Sequence, residues 1–170
     1  LIVEAGTGVG KSFAYLVPAI LAATDVQDDV AASDGKKKRQ IIISTHTISL
    51  QEQLVSKDIP LLNSVIPREF SAVLVKGRSN YLSLRRMNRA ISKATSLLAS
   101  DEQHSQLRAI KKWSGETTDG SLSSLQIRPD SVVWDEVSSD TSNCLRNACK
   151  HHKECFYFRA RRRAMGAQLM

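Results

Sequence analysis

The segment Ala5-Gly6-Thr7-Gly8-Val9-Gly10-Lys11-Ser12 constrains this chain more than any other. Glycines recur at every second position and are followed at once by Lys and Ser. Glycine lets the backbone curl so that successive N–H groups face one anion. The apolar run Leu1-Ile2-Val3 precedes the segment and reads as a buried strand, and Phe13 to Ala23 follows as an apolar, helix-like stretch. A helix starting near Lys11 presents its positive end to the same anion. Lys11 is then within reach of the β- and γ-phosphates of a nucleotide, and the Ser12 hydroxyl can ligate Mg²⁺. The pattern is that of a phosphate loop, with Ala5 in the first glycine position. It predicts ATP binding on Ala5, Gly6, Thr7, Gly8, Val9, Gly10, Lys11 and Ser12, with Lys11 and Ser12 as the catalytic pair. The alternative is a glycine-rich turn of purely structural use.

The surrounding sequence extends this to an α/β arrangement. Pro18 sits inside the first helix and is expected to kink or end it. Thr24 to Arg39 is a polar loop that closes on Lys36-Lys37-Lys38-Arg39. Gln40 to Ser44 carries three isoleucines, as in a buried parallel strand. Ile48 to Lys57 reads as a helix, Pro60 and Pro67 punctuate a connection, and Phe70 to Val75 reads as a third strand. After Gly77 the pattern becomes helical, with helices expected over Tyr81 to Leu98, Asp101 to Trp113 and about Glu154 to Leu169. Ser114 to Ser124 is a Ser/Thr/Gly loop. The expected organisation is an incomplete parallel-sheet domain over 1–77, a helical insertion over 78–160, and a helix over 161–170 leading back. The chain opens without Met and closes within the last expected helix, so both ends look cut.

Charge is concentrated at one end. The protein carries +7 overall, yet residues 143–170 hold seven basic residues against Glu154 alone. A basic cluster of this kind neutralises phosphates and favours nucleic acid, the bland alternative being a solvated helix face. All three cysteines, Cys144, Cys149 and Cys155, lie in the same stretch. Their odd number and close spacing exclude a simple disulfide framework and point to a metal or cluster in a reducing compartment. No apolar run reaches the ~20 residues that span a bilayer.

A phosphate loop alone does not hydrolyse ATP; an acidic residue on another strand must hold the Mg²⁺ ion. Val132-Val133-Trp134-Asp135-Glu136 imitates such a strand. The run is short and lies between a Ser/Gly loop and the cysteines, so it is read as a helix start or loop within the insertion. The Mg²⁺ carboxylates are then expected beyond Met170, and residues 1–170 alone are expected to lack ATPase activity.

Several segments together resemble one family. Glu4 to Ser12 resembles motif I of superfamily-2 DNA helicases of the XPD/DinG type. Ile43-Ser44-Thr45-His46-Thr47-Ile48-Ser49-Leu50-Gln51-Glu52-Gln53-Leu54 looks like motif Ia. Lys76-Gly77-Arg78-Ser79-Asn80-Tyr81-Leu82 is similar to the approach to that family's iron–sulfur domain, and Cys144 to Arg161 to its exit. The order agrees along the whole chain, and the DinG-like branch is the nearest. The resemblance implies a RecA-like P-loop NTPase domain with a cysteine-bearing helical insertion. It implies ATP-driven 5′ to 3′ movement on single-stranded DNA with duplex separation in a DNA-repair setting; the reducing compartment and the DNA reading together point to the cytoplasm. Thr45, His46 and Gln51 would lie on the DNA side; Thr45 as a helix N-cap and His46 as a plain loop residue is the alternative. Arg78 and Tyr81 are expected either to touch nucleic acid or to pack the insertion. Arg159, Arg161, Arg162 and Arg163 would meet phosphates at single-strand/duplex junctions, unless they pair with carboxylates.

The family pattern has four cluster-binding cysteines, and Ser83 stands here at the first position. Three states follow: a [4Fe–4S] cluster on Cys144, Cys149 and Cys155 with Ser83 or an outside ligand; a labile or absent cluster; or zinc on the three cysteines with His151 or His152. The rival functions are a non-catalytic nucleic-acid-binding module with a vestigial nucleotide site and a phosphate-loop kinase. The kinase predicts neither the motif Ia segment nor the basic cysteine insertion, and both are present.

Overall fold

The computed structural model describes residues 2–4, 6, 8–25 and 39–170. Ala5 and Thr7 of the phosphate loop, and Lys36-Lys37-Lys38, fall outside them. The chain divides into two compact units, Leu1–Val75 with Arg163–Met170, and Lys76–Arg162.

In the first unit, helix α1 spans Lys11–Ala23 and begins directly after Gly10. It runs through Pro18 without ending there, so only the one intrahelical bond that proline cannot donate is lost. Its C-terminal carbonyls are closed by donors. The Thr24 hydroxyl donates to Ile20 O at 2.7 Å, and Arg68 Nη1 to Leu21 O at 3.2 Å and Thr24 O at 3.4 Å. A guanidinium there also suits the negative end of the helix dipole. Helix α2, Ile48–Gln53, passes through a π-helical turn, Leu54–Asp58, into α3, Ile59–Val65. Pro60 therefore lies within a helical run rather than a connection, at the second residue of α3, directly after the π-helical turn.

The expected strands take a sparser form. Leu169 bridges Ile41 on one side and Ala72 on the other, both in parallel. Ile43 N donates to Met170 O at 2.7 Å, and Val73 N to Leu169 O at 3.0 Å. The last expected helix therefore stops early: helix α8 covers Phe156–Met165, and Leu169 is extended. Gln40 Nε2 fixes that stop by donating to the carbonyls of Ala164 (2.5 Å) and Ala167 (3.0 Å). Leu169 then sits in the core with Leu16, Ile20, Leu54 and Leu62. Ile2 and Val3 are exposed and take no ladder partner among the described residues, so the buried strand expected there is not formed. Extended backbone without a pairing neighbour leaves its polar groups to water and its side chains uncovered.

The second unit opens on an extended segment rather than a helix. Tyr81 and Leu82 bridge Ser121 and Ser138 in antiparallel fashion. Leu82 N donates to Gly120 O (2.9 Å), Ser83 N to Val137 O (2.8 Å), and Ser139 N to Tyr81 O (2.7 Å). The helix expected from Tyr81 to Leu98 is consequently two: α4 at Leu84–Ser92 and α5 at Ala94–Leu97. Helix α6, Asp101–Ser114, starts on Ser100, whose hydroxyl accepts the Gln103 N–H at 3.2 Å. Asp101 and Glu102 in its first turn and Lys111 and Lys112 in its last complement the dipole. Helix α7, Ser131–Val137, contains the Trp134-Asp135-Glu136 segment, in agreement with its reading as a helix start rather than a strand. Val133, Trp134 and Val137 are buried with Leu107, Ile110 and Phe156 in the core of this unit.

Candidate functional site

The phosphate-loop geometry is local. Gly8 and Gly10 both have φ +80°, a left-handed conformation that L side chains resist. Gly10 is the N-cap of α1 and supplies no side-chain acceptor to the first N–H groups of the helix. Ala14 N already reaches back to Gly10 O at 3.1 Å. Lys11 folds onto its own loop, with Nζ donating to Gly6 O at 2.7 Å. Gly6, Gly8, Val9, Gly10 and Lys11 are exposed, and Ser12 is half-buried. The arrangement offers a helix N-terminus without a side-chain cap and a primary ammonium within one turn, which suits an anion.

The motif Ia segment has a different cap from the one anticipated. Thr47, not Thr45, is the N-cap of α2, its hydroxyl accepting the Leu50 N–H at 3.4 Å. Thr45 follows the extended stretch around Ile43, two residues too early to cap. Its Oγ1 is buried without a hydrogen-bond partner among the described residues, and so is Gln51 Oε1. Gln51 Nε2 reaches Thr45 O at 3.5 Å. His46 is exposed.

In the second unit, the cysteines converge. Cys144, Cys149 and Cys155 line one pocket together with Ser83, His152 and Phe158. All three are free thiols of intermediate exposure. Arg85, Arg86 and Arg146 also line it. Ser83 caps α4, its Oγ accepting the Arg86 N–H at 3.4 Å. Arg146 has φ 47°, and its N–H donates to Cys144 Sγ at 3.4 Å. Burial pushes the Cys144 thiol up, but the neighbouring Arg78 and Arg146 outweigh it and hold it below its ordinary value. Among the described residues no three His, Cys, Asp or Glu side chains already stand at metal-holding distances. The donor chemistry nonetheless suits a soft metal centre: three thiols with guanidinium groups around them to offset thiolate charge.

Arg78 and Tyr81 take packing positions. The Arg78 guanidinium lies 4.0 Å from the Tyr157 ring centroid and donates to Asp140 O at 3.3 Å. Tyr81 is buried at 3% exposure, edge-on to Tyr157 with centroids 5.9 Å apart. Its hydroxyl accepts the Lys76 N–H at 3.0 Å. No ring face of Tyr81 is left for a base. Arg159, Arg161, Arg162 and Arg163 are all exposed. Arg161 donates to the Tyr157 hydroxyl at 3.0 Å and Arg162 to Lys153 O at 2.9 Å. The guanidinium groups of Arg159 and Arg163 have no partner among the described residues, so none of the four pairs with a carboxylate there.

One cluster escaped the sequence reading. Lys76 is buried, and its Nζ donates to Ser121 Oγ at 3.2 Å and to Ser123 Oγ. Ser121 donates in turn to Asp119 Oδ2 at 2.5 Å. The only signal was composition: Asp-Gly-Ser is turn chemistry, and nothing local ties it to a lysine 43 residues earlier.

The family model for DEAD/DEAH box helicases matches residues 1–156. The chain belongs to that family. It is 36% identical to the ATP-dependent DNA helicase YoaA of Escherichia coli K12, over all of this chain and 24% of that protein. It is 34% identical to the ATP-dependent helicase DinG of Mycobacterium tuberculosis H37Ra, over 95% of this chain and 25% of that protein. Against the ATP-dependent DNA helicase DinG of E. coli K12 the identity is 31%, over the whole chain and 24% of that protein. The chain thus spans about a quarter of the length of the curated relatives it matches. Family membership implies a RecA-like nucleotide-binding fold with ATP and Mg²⁺. No helix among the described residues is long and apolar enough to cross a membrane.

Proposed function

We propose that this DEAD/DEAH family chain is the nucleotide-binding front of an ATP-dependent DNA helicase, moving 5′ to 3′ on single-stranded DNA and opening duplex at junctions. The observation that carries the reading is the pair of left-handed glycines, Gly8 and Gly10, against the uncapped start of α1 at Lys11. In that reading Ala5 to Ser12 hold ATP, Lys11 meets its terminal phosphates, and Ser12 ligates Mg²⁺. The parallel bridges at Leu169 support a RecA-like sheet, with residues 78–160 as a cysteine-bearing helical insertion. Thr45, His46, Gln51, Arg159, Arg161, Arg162 and Arg163 form the DNA-facing set, and the protein works in the cytoplasm.

The insertion in this reading holds a [4Fe–4S] cluster on Cys144, Cys149 and Cys155. The shared pocket of the three thiols supports it. When bound, the cluster cross-links those three positions. The chain's own task is to keep the thiols close and ionisable, which Arg78 and Arg146 serve at Cys144.

The test is Lys11→Ala in the full protein. Lys11 is exposed, so its removal leaves the thermal unfolding midpoint where it was. ATP hydrolysis stimulated by single-stranded DNA is lost. Turnover retained at the wild-type level refutes the assignment.

A further inference from the structure

The cysteine pocket contains three thiols, and Ser83, His152 and Asp140 are among its further donors; Asp140 Oδ2 already accepts from Ser142 Oγ at 2.5 Å and Asn143 Nδ2 at 2.8 Å. They are not equivalent. The Ser83 hydroxyl already accepts the Arg86 N–H and starts helix α4. An alcohol is a hard, protonated oxygen at neutral pH and a poor match for iron or zinc that thiolates hold. His152 is a borderline-soft nitrogen donor, and neither of its ring nitrogens has a hydrogen-bond partner among the described residues. Its ring is held by a tilted stack on Phe158, with centroids 4.7 Å apart.

His151, its neighbour, is engaged elsewhere. Its Nε2 lies 3.4 Å from Asn88 Nδ2, and its Nδ1 3.8 Å from a Glu154 carboxylate oxygen. The backbone favours His152 as well. Its N–H donates to Cys149 O at 2.9 Å, a turn that brings positions 149 and 152 to the same side. The spacing is Cys149-x2-His152-x2-Cys155, and two-residue separation is the common interval between paired metal ligands.

We propose that His152 is the fourth metal ligand of this pocket, completing a Cys144, Cys149, His152 and Cys155 set, while Ser83 serves helix α4 alone. The inference rests on the reading that the three cysteines hold an iron–sulfur cluster. On binding, each thiol releases its proton to solvent and ligates as thiolate. The neutral imidazole donates a nitrogen lone pair and releases no proton. An imidazole in place of a thiolate removes one negative charge from the site and raises its reduction potential.

The experiment uses the full protein purified without oxygen, with iron, sulfide and zinc measured for wild type, Cys149→Ser, His152→Ala, His152→Cys and Ser83→Ala. Pulsed electron paramagnetic resonance of the reduced protein reads nitrogen coupled to the cluster. The expected result is a strong ¹⁴N coupling in wild type and in Ser83→Ala, absent from both His152 variants. His152→Cys keeps its iron and shifts the midpoint potential downward, while Ser83→Ala leaves it unchanged. Iron without ¹⁴N coupling in wild type overturns the proposal, as does iron lost from Ser83→Ala but kept by His152→Ala. Iron content unchanged in Cys149→Ser refutes the cluster reading and the proposal together, and so does a protein free of both iron and zinc. Zinc in place of iron, released by His152→Ala, refutes the cluster reading and upholds His152 as ligand.

Discussion

Gly120 is the position where a single methyl group should do most damage. It has φ +63°, where a residue with a Cβ loses about 1–2 kcal/mol. An added Cβ would also stand closer than 3.0 Å to three ring carbons of Phe156. Phe156 is 5% exposed in the core of its unit, so the ring has little room to retreat. Forcing extra volume into a packed core costs about 1–3 kcal/mol. Gly120→Ala therefore costs roughly 2–5 kcal/mol, a large share of the ~5–15 kcal/mol of a typical domain. At this unit's size that corresponds to a fall in Tm of roughly 8 °C or more. Gly115→Ala is the control. Gly115 has φ −84°, and its added Cβ meets Lys112 O at an ordinary 3.6 Å. That change leaves stability level or raises it by about 0.4–1 kcal/mol. Urea unfolding followed by tryptophan fluorescence, from Trp134 buried in the same core and Trp113 packed against it, measures both. Equal midpoints for the two variants would show that the left-handed turn and the Phe156 contact are wrong.

Two contrasts test the remaining polar geometry. Burial pushes the Asp119 carboxyl up, but hydrogen bonds from Ser121, Ser124 and Thr117 outweigh it and hold it below its ordinary 3.8. A depressed folded value stabilises above the unfolded one and is lost as pH falls through the folded one. Asp119→Ala, which removes the carboxylate acceptor of the fully buried Ser121 hydroxyl, is therefore less stable than wild type by roughly 1–3 kcal/mol at pH 7. Below pH 3.8 the gap narrows; urea midpoints at pH 7 and pH 3 that show it widening refute the network. Thr47→Ala removes the cap of α2 and costs about 0.5–1 kcal/mol, given its long 3.4 Å bond. Thr45→Val removes a buried hydroxyl that has no partner among the described residues, and is neutral or stabilising in the same thermal melt. The reverse order of the two Tm values would restore Thr45 as the cap.

The sequence was most legible where short-range chemistry decides the structure. The glycines before Lys11 predict a tight anion-facing turn, and Gly8 and Gly10 adopt it. The 3.6-residue pattern of Asp101 to Trp113 gives α6 to within one residue, because Ser100, two acids and two lysines mark both of its ends. Legibility failed where distant backbone won. Tyr81 and Leu82 carry helix-compatible side chains, yet their N–H and C=O groups pair with Gly120 and Ser139, and the helix waits for Ser83. Leu169 fits the apolar period of α8, but Gln40, more than a hundred residues earlier, closes that helix and frees Leu169 for Ile41 and Ala72. Side-chain amides that cap across the chain leave no local signature.

The cysteine pocket shows both limits at once. Three thiols within a dozen residues announce a metal or cluster from spacing alone, and the pocket gathers them. The fourth donor is another matter, since Ser83, His151 and His152 all qualify by proximity along the chain or by position in a family pattern. Their differences arise only after folding: Ser83 is committed to the Arg86 N–H, His151 to Asn88 and Glu154, and His152 to a stack that leaves its nitrogens open. A helix start that needs a hydroxyl cap and a metal that prefers a soft donor make opposite demands on position 83. Serine satisfies the first, and in the proposed site the two-residue spacing on either side of His152 would let the chain meet the second with a residue from the same loop as Cys149 and Cys155.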